Sequence, residues 1–100
     1  MLKDVWFTDG DWIVSLGTLD PKAHGTGFAG YELSEDGLSI KRIVQASTFT
    51  AAPNHWALRD VRVYTPDTFT QAQEPDFVIP LRQDPETFRL VNTGTKPQQL

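Results

Sequence analysis

Cysteine is absent from this 100-residue chain, which excludes disulfides, thiol catalysis and cysteine-held metal. The absence leaves the compartment open, because a core of this size needs no covalent bridge even in an oxidising space. Histidine is scarce: His24 and His55 are far apart, have no histidine neighbours at ligand spacing, and fall in expected loops. They do not supply the convergent ligands of a metal enzyme, so no metal or other cofactor is expected. Long apolar runs are missing too. Phe77-Val78-Ile79-Pro80-Leu81 is typical of those present, far short of the roughly 20 residues of a membrane span. No basic start and apolar h-region mark a signal peptide, and Asp4, Asp9 and Asp11 arrive early. Taken alone, that pattern fits a cytosolic protein or a domain cut from a larger one. Positive charge is the minority sign, and a net charge of -4 argues against charge-driven binding to nucleic acid or an anionic lipid surface. There is no internal repeat, low-complexity run or domain boundary, so residues 1–100 read as a single domain.

What the chain does have is apolar and aromatic residues in strand-like patterns, at 39% and 11% of the sequence. Val5 to Thr8 and Trp12 to Leu16 flank Asp9-Gly10, a dipeptide suited to a tight hairpin, and Trp12, Val14 and Leu16 share a face. After a loose segment from Gly17 to Gly27, Phe28 to Ser34 reads as a strand with Ala29, Tyr31 and Leu33 on one face. Asp36-Gly37 repeats the turn signal before a long β-branched strand, Leu38 to Thr50. Ala51 to His55 reads as a loop, Trp56 to Tyr64 as a strand, and Thr65 to Thr68 as a turn. Phe77 to Leu81 reads as an edge or interrupted strand, because Pro80 lacks a ladder donor. Asp84-Pro85-Glu86 is a helix start for a short turn through Leu90, and Asn92 to Leu100 has no periodicity. Short strands, frequent turns and almost no helix signal predict an all-β antiparallel sandwich or barrel-like fold.

One strand breaks its own rule. In Trp56-Ala57-Leu58-Arg59-Asp60-Val61, strict alternation would place Asp60 with Trp56 and Leu58, and Val61 and Val63 opposite. Either a bulge or strong bend near Arg59-Asp60 turns the valines inward, or both faces of the strand are covered.

Chemistry-bearing motifs are wanting. The thirteen acids fall mostly at turns, where Asp bonds its own backbone, and no serine lies in a nucleophile elbow. Gly25-Thr26-Gly27 is too short for a phosphate loop. The chain reads as a non-enzyme. Trp6, Trp12 and Trp56 would make a sugar-stacking platform if they were exposed together, which gives a carbohydrate-binding β-sandwich as the alternative reading. Their places in apolar-alternating strands suit core aromatics better.

The series Trp6-x-x-Asp9-Gly10, Gly30-Tyr31-Glu32-Leu33, Asp36-Gly37-Leu38, Ala46 and Trp56-x-Leu58-x-x-Val61 resembles the periplasmic domain of LptG-type permeases. These belong to the LptF/LptG (YjgP/YjgQ) permease family of the lipopolysaccharide-export ABC transporter. The likeness is colinear over most of the chain, and the stretch from Phe88 to Leu100 is similar to the one leading back to the membrane. The resemblance implies an open antiparallel β-jellyroll with an apolar trough that carries lipopolysaccharide acyl chains. It implies a domain at the periplasmic face of the inner membrane, excised from between transmembrane helices. Its partners would be the jellyroll domains of LptF, LptC and LptA and the LptB ATPase. Trough-lining, lipid-binding candidates are Trp12, Val14, Leu16, Tyr31, Leu33, Trp56, Leu58, Phe77, Ile79 and Leu81. The Phe77 to Leu81 edge or the Val5 to Leu16 hairpin is expected to dock a neighbouring jellyroll.

Overall fold

In the computed structural model, which describes residues 1–88, one antiparallel sheet takes in nearly the whole chain. Its strands are β1 (Leu2–Asp9), β2 (Trp12–Leu19), β3 (His24–Leu33), β4 (Ile40–Ala52), β5 (His55–Thr65) and β6 (Thr70–Ile79). Each pairs with the next, in the order β1-β2-β3-β4-β5-β6, and β1 does not close on β6. The expected open, all-β antiparallel fold is therefore present. A short helical turn follows at 85–88. Asp84 caps it: its side chain accepts from the Glu86 amide at 2.9 Å and its carbonyl from the Thr87 amide at 3.0 Å. The expected continuation to Leu90, the tail from Asn92 and the stretch beyond Phe88 lie outside the described residues.

Local chemistry fixes the connections. Gly10 takes φ +59° in the two-residue turn between β1 and β2. Asn54 takes φ +64° after Pro53 in the equally tight turn between β4 and β5. In the β2–β3 turn the Asp20 carboxylate accepts from the amides of Lys22 and His24, at 2.8 and 3.0 Å. Asp36 does the same between β3 and β4, bonding the Ser34 hydroxyl and the Leu38 amide.

Several strand boundaries differ from the sequence pattern; β1 begins at Leu2, and β2 runs on to Leu19. β4 runs on through Ala52, because Ala51 is buried and pairs with Trp56. β3 begins at His24, in the segment expected to be loose, where Gly25 lies against the Phe49 ring. β6 begins at Thr70 rather than Phe77; its first residues are exposed and polar, as an edge strand needs no apolar alternation.

A crease crosses the sheet. Asp4, Gly17, Gly27, Ser47, Asp60 and Pro75, one per strand, stand at one level between paired positions on either side. Along β2 the buried residues step from Leu16 to Leu19, along β4 from Ala46 to Phe49, and along β5 from Leu58 to Val61. A step of three would put such pairs on opposite faces of a regular strand. Here both members face one interior, because the backbone turns at the crease. Asp4, Gly27 and Asp60 reach positive φ of 52°, 70° and 54° on alternate strands. Gly17 and Gly27 meet so closely that a Cβ on Gly17 would stand 3.0 Å from the Thr26 carbonyl oxygen. Pro75 lies where the ladder makes no pair, so its missing N–H costs no strand bond. The irregularity at Arg59-Asp60 is thus a bend. It is not a bulge with an extra residue, since Arg59↔Asp76 and Val61↔Glu74 keep one register.

Candidate functional site

The crease folds the sheet into two leaves that face each other, and the space between them is the apolar interior. Within the sheet β1 and β5 are four strand spacings apart, roughly 19 Å. Yet the rings of Phe7 on β1 and Trp56 on β5 have centroids 5.5 Å apart. Trp56 also stacks on Phe49 at 5.5 Å and 17°, and meets Phe28 at 6.2 Å. Val14, Leu16, Leu19, Phe28, Val44, Phe49, Leu58 and Val61 complete the lining, none more than 3% exposed. Among the described residues no polar or charged one is buried. With no polar or charged residue buried there, an apolar occupant would strip water from no unpaired polar side chain of the buried lining.

Glycine makes room for the rings. A side chain on Gly30 would meet the Phe28 and Trp12 rings at 3.0 and 3.1 Å, and one on Gly25 would run into Phe49. β3 therefore faces inward with Gly25, Phe28 and Gly30. Of the candidates drawn from alternation, Trp12, Val14, Leu16, Trp56, Leu58, Phe77 and Ile79 face the interior, Trp12 and Phe77 half-buried and the others buried. Leu81, just past β6, is buried in the same cluster. Tyr31 and Leu33 are corrected. Tyr31 pairs with Ile13 and Ile43, which alternate with the inward Val14 and Val44, so it lies on the outer face. Leu33 follows it by alternation, at the register shift after Glu32. The strand phase was drawn through Ala29, Tyr31 and Leu33 because the inward glycines carry no apolar signal. Phe28, Val44 and Phe49 were missed with it. The three-residue spacing of Ala46 and Phe49, repeated in Leu58 and Val61, is the signal that would have found them.

The three tryptophans do not share a surface. Trp56 is fully buried, Trp12 faces the interior, and Trp6 is 62% exposed on the outer face of β1.

Opposite the crease, the lip between the leaves is bridged at two places. The chain after β6 crosses it as a strap: the Asn54 amide donates to the Leu81 carbonyl at 2.7 Å, and the Trp56 indole N–H to the Gln83 carbonyl at 3.1 Å. The Gln83 amide in turn donates to Asp9 Oδ2 at 2.8 Å, and Phe88 packs on Phe7 with centroids 5.0 Å apart. The second bridge is Arg42 on β4. Its guanidinium carbon lies 5.6 Å from the Trp12 ring centroid and 5.9 Å from that of Phe77, on the other leaf. Its Nε donates to Glu32 Oε1 at 2.7 Å.

The His24 amide holds the Asp20 carboxyl below its ordinary value, and the Ser34 hydroxyl does so for Asp36. Among the described residues no His, Asp and Glu group is placed to hold a metal ion, and no helix is long and apolar enough to cross a membrane. No family model matches the sequence, and no curated protein matches it.

Proposed function

We propose that this chain is a periplasmic lipid-conduit domain of the LptG type in a lipopolysaccharide-export transporter. It passes lipopolysaccharide from the inner toward the outer membrane through the apolar space between its leaves. It performs no catalysis; a separate ATPase, LptB, drives transport in the parent complex. The domain stands at the periplasmic face of the inner membrane, anchored by the parent protein's transmembrane helices. Its neighbours are the jellyroll domains of LptF, LptC and LptA.

The observation that carries this reading is an apolar interior inside a sheet that does not close. A closed barrel seals its contents by hydrogen bonding β1 to the last strand. Among the described residues the outer edges of β1 and β6 are unpaired, so the leaves part without loss of any ladder. The interior is filled by its own side chains, and an acyl chain enters only as those contacts are exchanged for contacts with the lipid. The colinear motifs that resemble the LptF/LptG family support the same reading.

The test is site-specific photo-crosslinking in the full transporter. A crosslinker at Leu58, on the inner face, should capture lipopolysaccharide during export, whereas one at Tyr31, on the outer face, should not. No capture at Leu58, or equal capture at both, contradicts the conduit.

A further inference from the structure

Arg42 is the one basic residue among the inward-facing positions of the six strands. The inward charges are otherwise acidic: Asp9 and Glu32 on the level of Arg42, and Glu74 beside the crease. Arg42 stands on the last inward level before the β3–β4 turn, at the lip and away from the crease. Its side chain is 39% exposed and that of Glu32 19%. Three contacts fix the guanidinium in place: the Trp12 ring, the Phe77 ring and the Nε bond to Glu32. The terminal nitrogens make no hydrogen bond among the described residues. A planar fork held this way, with its outer donors open to solvent, is the arrangement that binds an oxyanion through two parallel N–H···O bonds. The aromatic contacts lower the ordering cost of binding, since the fork is already oriented.

We infer that Arg42 is an anion subsite at the lip, and that the interior's occupant is an amphiphile with a phosphate or carboxylate where its apolar chain begins. The inference rests on the conduit reading and adds a polar contact to it. The tail lies between the leaves along the crease, and its oxyanion meets Arg42 from the solvent side. Glu32 competes for the same cation. It holds the fork in the empty state and weakens the anion's attraction, which favours passage over retention. Overall acidity is consistent with this, because one compensated cation gives a weak, local hold without drawing anions over the whole surface.

The experiment measures binding of dodecyl phosphate, dodecanol and inorganic phosphate to the chain by calorimetry, each below its aggregation concentration. The wild type should bind dodecyl phosphate about tenfold more tightly than dodecanol, and inorganic phosphate not measurably. Arg42→Gln should abolish that preference, bringing the affinities for dodecyl phosphate and dodecanol together, and Arg42→Lys should restore part of it. Glu32→Gln should strengthen dodecyl phosphate binding several-fold. A residue with a structural role alone would give the opposite, since loss of either partner of the ion pair would weaken all binding alike. Equal affinity for dodecyl phosphate and dodecanol in the wild type overturns the subsite and leaves the conduit standing. Tight binding of inorganic phosphate alone overturns the amphiphile. Failure of both chain-bearing probes to bind overturns the conduit reading and the subsite with it. Unchanged far-ultraviolet circular dichroism in each variant shows that the comparison is between folded proteins.

Discussion

Trp56 is where the two leaves meet. Its ring contacts Phe7, Phe28 and Phe49 and its indole N–H bonds the strap, so one side chain ties β1, β3, β4 and the chain after β6 together. Trp56→Ala should cost about 3–5 kcal/mol in denaturant unfolding, from lost burial and the cavity left behind. Trp56→Phe should cost less, keeping the ring but leaving the Gln83 carbonyl without its donor. Gly25 is the complementary case. Gly25→Ala should destabilise by about 1–3 kcal/mol, because the added methyl runs into both the Phe49 ring and the Thr18 carbonyl. The turn aspartates carry a pH dependence of known sign. Asp20 is held below its ordinary value by the His24 amide, so its contribution is present at neutral pH and is lost as pH falls through the lowered folded value. The amide signals of Lys22 and His24 should titrate with an apparent pKa below the ordinary aspartate midpoint of about 3.9. A transition at or above that midpoint would show that the turn bonds do not form in solution.

At the scale of the strand, the crease is the feature that makes an interior out of a single sheet. A meander of regular strands presents one face; a turn at one level in every strand presents two leaves toward each other. Asp60 shows why the pattern was half legible in the sequence. The strand from Trp56 broke its alternation visibly, because Leu58 and Val61 are both large and apolar, and a bulge or strong bend was expected there. On β3 the same step runs from Gly25 to Phe28 and left no apolar trace, so that strand's phase was read through Tyr31 and the outer face. The lower part of β6 was unreadable for another reason: an exposed edge strand has no face to bury. The bend itself is open to test. Asp60→Gly should be neutral or slightly stabilising, since glycine adopts φ +54° without strain. Asp60→Val should cost about 1–2 kcal/mol, because a β-branched L-residue resists the left-handed region. Equal stability of the two variants in thermal unfolding would show that no bend is needed at this position.

For the molecule as a whole, the outer edges of β1 and β6, unpaired among the described residues, and the space along the crease have one direction. The interior runs across the strands from one unpaired edge toward the other, so a second jellyroll at either edge would extend it. The two expected docking segments, the β1–β2 hairpin and the stretch from Phe77, both include an edge strand of the observed sheet. The strap through Leu81, Gln83 and Phe88 closes part of the lip and must yield if a lipid is to sit between the leaves.

The central claim is that an apolar chain occupies the space between the leaves. Quenching of tryptophan fluorescence by a brominated fatty acyl chain tests it most directly, since bromine quenches only at contact. With Trp12 and Trp56 inside and Trp6 outside, the account predicts that quenching survives in Trp6→Phe and fades in Trp56→Phe. Quenching that disappears with Trp6→Phe, or none in the wild type, would place the chain on the outer surface or nowhere, and would contradict it.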